Sequence, residues 1–71
     1  MMLLLLDKLK IEFEDLQEKV NNLESFIQSK EFQNLSSEKR FLLYEQLTHM
    51  KNYKEVLKIR IGIIENEQRN I

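Results

Sequence analysis

The side chains here that could do chemistry are few: two tyrosines, four phenylalanines, one histidine, and lysines and arginines scattered among glutamates. Phe13 and Tyr53 carry rings that can stack on a nucleobase, worth about 1–3 kcal/mol per base. Both also sit where a helical core or an interface would want an aromatic. Lys30, Lys54 and Arg60 can hold phosphate, Arg60 with the planar fork suited to bidentate contact. For each cation alone, a solvated or salt-bridged charge is the plainer reading. His49 could donate to a ligand, but a lone helical histidine is more often a boundary residue. No glutamate pair stands apart as a general acid and base. There is no Walker loop, glycine-rich dinucleotide turn, HExxH or Ser-His-Asp set, so an enzyme is not expected. With no cysteine, disulfides and thiolate metal sites are excluded, and a single histidine argues against zinc or iron. No cofactor is expected.

Those side chains must be positioned by a small scaffold. At 71 residues there is room for one domain, 1–71, and a chain this short buries only a modest share of its surface. Small domains compensate with disulfides, metals or partner subunits. With the first two argued away, self-association remains. The net charge of −1 lacks the basic surplus of a duplex DNA or RNA binder. Small anionic ligands stay open, since they need only a few local cations.

Proline is absent, glycine occurs once, and Leu, Glu, Lys, Gln and Ile dominate, a mix that favours helix because unbranched side chains lose little rotamer freedom there. A first helix is expected from about 7 to 29. Its apolar seam is Leu9, Phe13, Leu16, Val20, Leu23 and Ile27, at alternating steps of four and three. A turn follows over about 30–37, in which Phe32 and Leu35 are expected to tuck over the hairpin end. Ser36 and Ser37 offer an N-cap hydroxyl for a second helix over about 37–66. The seam there is Leu43, Leu47, Met50, Leu57, Ile61 and Ile64, interrupted by Lys54. Two long helices joined this tightly form an antiparallel hairpin, with the polar tail from Glu65 to Ile71 expected to fray.

The lead-in Met1-Met2-Leu3-Leu4-Leu5-Leu6 is far shorter than the roughly 20 apolar residues of a membrane span, and it lacks a signal peptide's basic start. It reads as an apolar segment packing on another chain, with membrane-surface contact the weaker alternative. The second helix also carries a second stripe: Leu42, His49, Tyr53, Val56, Arg60 and Ile63. One hairpin partner cannot cover both stripes. A mixed aromatic, apolar and cationic face suits a protein interface or a polar ligand pocket, so an adaptor hairpin docking on a protein partner is the competing functional reading.

The order of residues around the turn carries a resemblance. Leu16-x-x-Lys19 leads to Leu23-x-x-Phe26-Ile27-x-Ser29-x-x-Phe32-x-x-Leu35. Then follow Leu42-Leu43-x-x-Gln46-x-x-x-Met50-x-x-Tyr53-x-x-x-Leu57-x-x-Arg60-Ile61. From about Glu12 to Ile61 the chain resembles the helical hairpin shared by phage anti-CBASS and anti-Thoeris sponge proteins. The resemblance implies a non-enzymatic protein of the host cell cytoplasm. It would bind cyclic di- or trinucleotide messengers of bacterial defence and keep them from their effectors. It implies an all-α antiparallel hairpin assembling as a homo-oligomer, a hexamer in the compact members, with no DNA or RNA duplex and no membrane as partner. The β-rich part of anti-Thoeris members has no counterpart here, so the anti-CBASS branch is the nearer comparison. Phe13 matches a family aromatic that stacks on the dinucleotide. Gln28 falls where the family has a phosphate-contacting lysine, with Lys30 two residues on; the amide lacks the positive charge. Arg60 or Arg69 matches an arginine of the trinucleotide site.

Overall fold

The computed structural model describes residues 2–69, with side chains from Leu4 onward. Met1, at the head of the apolar lead-in, and Asn70 and Ile71, at the end of the tail, lie outside the described residues. Helix α1 spans Met2–Ile27, a one-turn helix α2 spans Lys30–Gln33, and helix α3 spans Ser37–Arg69. There is no strand among the described residues. α1 and α3 run antiparallel along a rod of 54 × 15 × 14 Å.

The seams pack as their spacing requires. Leu6, Leu9 and Val20 of α1 are buried, as are Phe32 of α2 and Leu57 of α3, the last 0% exposed. Phe13, Leu16, Leu23 and Ile27 are half-buried along α1, facing Leu43, Leu47, Met50, Ile61 and Ile64 of α3. Lys54 sits half-buried in the seam because its ammonium has a partner: Nζ donates to Gln17 Oε1 at 2.9 Å. Gln17 in turn donates through Nε2 to Asn21 Oδ1 at 2.9 Å, so one amide serves both helices. Two ion pairs help fix the register, Lys10 with Glu65 at 3.2 Å and Lys51 with Glu24 at 2.9 Å. Both are largely exposed and contribute little to stability.

Three boundaries differ from expectation, each for a local reason. α1 begins at Met2 rather than near Asp7, because the leucine run continues the helix and Leu6 reaches the seam. α3 continues to Arg69 rather than ending at about residue 66. Early residues of α1 lie alongside that last stretch, and Ile64, Glu65 and Gln68 keep partial cover. The turn is not irregular throughout. α1 stops at Ile27, where the Gln28 and Ser29 amides bond three residues back. Ser29 then caps α2: its Oγ accepts from the Phe32 amide at 3.2 Å and donates to the Phe26 carbonyl at 2.6 Å. Ser36 caps α3, accepting from the Lys39 amide at 3.2 Å. Phe32, 1% exposed, is clamped edge-on between Phe26 and Tyr44 at ring distances of 6.1 and 5.3 Å. The turn therefore does close over the hairpin end.

What the hairpin leaves uncovered is as informative as what it hides. Leu42, Tyr53, Val56 and Ile63 are exposed along α3, Ile63 by 54% and the neighbouring Ile59 by 60%. Two helices enclose one seam between them, and among the described residues nothing lies over this outer face.

Candidate functional site

The seam divides the hairpin surface into two flanks. On α1, Lys8, Glu12, Asp15 and Lys19 lie to one side of the line through Leu9, Leu16 and Val20; Lys10 and Glu14 lie to the other, following from 100° per residue. α3 splits the same way, with Tyr53, Val56, Arg60 and Ile63 on the first flank and Lys58, Gly62 and Glu65 on the second. Each flank holds a groove.

The first groove, about 340 Å³, is lined by Lys8, Glu12, Asp15, Lys19 and Tyr53, with Ile11 and Leu16 at its floor and edge. Tyr53 lies across it, its hydroxyl donating to Glu12. That hydrogen bond holds the phenol proton in place and raises the Tyr53 pKa above the ordinary tyrosine value. Loss of surrounding water and the Glu12 charge push the same way, and the positive charge of Arg60 pulls it back. Arg60 is therefore an electrostatic neighbour of Tyr53, one ring and one cation on the same side of α3.

The second groove, about 480 Å³, is lined by Phe13, Ile61 and Gly62, by the cations Lys10 and Lys58, and by the carboxylates Glu14 and Glu65, the latter ion-paired to Lys10. The space beside Gly62 is open: a Cβ there would meet nothing within 4 Å. Phe13 is half-buried, its remaining surface available for stacking.

Phe13, Gln28, Lys30, Tyr53, Arg60 and Arg69 do not converge on one place. Tyr53 and Arg60 share a flank. Phe13 lies on the opposite flank, so one chain does not offer Phe13 and Tyr53 to the same ring. Gln28 and Lys30 are exposed at the turn, roughly 20 Å from Phe13 along the helix axis. Arg69 is exposed at the other end. His49 points to solvent, more exposed than a boundary residue would be, and lies 3.8 Å from Glu45. Sequence spacing alone does not signal Lys10 and Lys58 as the cations around Phe13; the antiparallel register brings them there. Glu12 is legible only once Tyr53 is placed opposite it. No cluster of metal-ligating side chains occurs among the described residues, and none of their helices is long and apolar enough to cross a membrane.

A protein-family model described as Sequestin matches residues 5–63, spanning most of both long helices and the turn. The chain belongs to the Sequestin family. The family match agrees with the likeness to phage sponge proteins read from the turn and the Arg60-Ile61 element. No curated protein and no solved structure matches the chain. Within a Sequestin-family hairpin, the two flank grooves and the bare outer face of α3 are the features a ligand or a second copy can use.

Proposed function

We propose that this Sequestin-family hairpin assembles into a homo-oligomer and binds cyclic di- or trinucleotide messengers of bacterial defence without cleaving them, acting in the host cell cytoplasm. The observation that carries the reading is the exposed flank of α3, where Tyr53, Val56, Arg60 and Ile63 combine ring, apolar surface and cation and all four stay largely open to solvent. Apolar surface of that extent on so slender a rod favours association, and mixed composition is what a polar ligand niche between copies uses. The family name, which speaks of sequestering, supports the same reading.

Symmetry makes a few side chains enough. A cyclic dinucleotide has approximate two-fold symmetry and a trinucleotide approximate three-fold symmetry. A ring seated on the matching axis of an oligomer meets the same residue from each copy. One arginine per chain then faces every phosphate, and one aromatic per chain faces every base, which a net charge of −1 does not prevent. Phe13, with Lys10 and Lys58 beside it, supplies the stacking niche in this reading, and Arg60 or Arg69 the phosphate contacts. Trapping demands affinity and copy number alone, so no catalytic group is required.

Calorimetry against a panel of cyclic di- and trinucleotides, with chromatography of the ligand recovered afterwards, tests the proposal. Saturable binding of at least one class with unchanged ligand supports it. Absence of binding across the panel at tens of micromolar, or recovery of linearised product, overturns it.

A further inference from the structure

At the turn end of the hairpin, away from both flank grooves, a third groove of about 310 Å³ is lined by Phe32, Gln33, Ser37, Arg40, Phe41 and Tyr44. All six side chains come from one chain. Its volume lies at the small end of the range for small-molecule sites.

Arg40 is the unusual member. Among the described residues it forms no ion pair, and its Nε is buried with no hydrogen-bond partner. A buried donor left unmet is costly and calls for an acceptor. Glu31, Glu38 and Glu45, the nearest carboxylates in sequence, are exposed, and none of them reaches it. The Nε edge is closed to solvent, but the terminal nitrogens form no ion pair, so that end of the guanidinium is free for a planar or tetrahedral anion. Around it stand three aromatic rings. Phe32 meets Tyr44 edge-on at 85°, leaving Tyr44 half-exposed at 50% and Phe41 at 59%. Exposed rings next to an unpaired arginine suit a ligand that carries a flat ring and an anion on one short frame. The Gln33 amide and Ser37 hydroxyl add neutral donors and acceptors.

We propose that this turn-end groove is a binding site for a nucleoside monophosphate-like ligand, with Arg40 holding the phosphate and Phe41 and Tyr44 packing the base. The site is complete within one chain and is separate from the niches assigned to cyclic messengers, so it stands or falls independently of that reading.

Nuclear magnetic resonance titration of the full chain tests it, with adenosine monophosphate, adenosine and inorganic phosphate as probes. Saturable millimolar shifts of the Arg40 Nε–H and the Phe41 and Tyr44 rings are expected with the monophosphate. Adenosine and phosphate alone should each bind on the order of tenfold more weakly, and Arg40→Lys, which keeps the charge but loses the fork, should weaken the monophosphate by a similar factor. The same variant should bind cyclic ligands as the wild type does. No saturable shift with the monophosphate, an equal response to either fragment, or full binding by Arg40→Lys overturns the proposal.

Discussion

The Tyr53 hydroxyl donates to the Glu12 carboxylate across the hairpin, joining α3 to α1 between residues 41 positions apart. This contact ties the exposed flank to the register of the seam, and its titration gives a first prediction. The Tyr53 phenol has a pKa raised in the fold above its ordinary 10.0. The stabilisation linked to it is therefore present in full below pH 10.0 and fades as pH climbs through the raised value. Ultraviolet titration, with Tyr53→Phe as the difference control, should show Glu12→Gln moving the Tyr53 transition back down in pH. An unmoved transition would mean the hydrogen bond does not persist in solution.

Lys54 interrupts an otherwise apolar seam and depends on Gln17 for its buried contact. Gln17→Leu removes the acceptor while leaving the ammonium half-buried, and should cost about 1–3 kcal/mol. Lys54→Met, which replaces the ammonium by an apolar chain of similar length, should be neutral or stabilising, as for other buried polar groups exchanged for packed hydrophobics. Chemical denaturation of both variants checks the order; equal losses would contradict it.

Leu57 and Ile59 are two residues apart on α3 and face opposite ways, one fully buried and one mostly exposed. Leu57→Ala opens a cavity in a very small core and should cost about 2–5 kcal/mol, much of the stability of a domain this size. Ile59→Ala should leave the fold of each chain within about 0.5 kcal/mol of wild type while weakening self-association. Circular dichroism melts paired with analytical ultracentrifugation separate the two effects.

For ligand binding, Arg60→Ala should weaken one class of cyclic nucleotide while leaving the oligomer intact. Phe13→Ala should weaken the class that stacks in the second groove, by about 1–3 kcal/mol per base lost. Calorimetry on particles whose mass is first confirmed makes the comparison; equal loss of both classes from either substitution would contradict separate sites.

Most of the architecture was legible because a helical seam is written directly in spacing. Leu9, Val20 and Leu57 fell where the repeat of three and four put them, and Phe32 buried itself because an apolar ring in a polar turn has one place to go. Helix ends were read less well. Leucines before Asp7 and the polar stretch after Glu65 each look weak alone, and they hold helix because each lies beside the other. The α2 turn was missed because Ser29 acts as a cap only once its hydroxyl is seen to meet the Phe32 amide. For the candidate site, Tyr53 and Arg60 were correctly grouped on one stripe. The pairing of Phe13 with Lys10 and Lys58, and the setting of Arg40 in one groove with Phe32 and Tyr44, depend on which residues the antiparallel register and the turn bring together. Spacing within one helix does not encode either.

The exposed outer face of α3 is the feature from which assembly and ligand niches both follow. Native mass spectrometry of the intact particle, before and after extraction of small molecules, tests it most directly. The account predicts a closed multimer of this chain whose mass rises by a whole number of cyclic nucleotides when they are supplied. A single chain that persists at high micromolar concentration and takes up no nucleotide would contradict it.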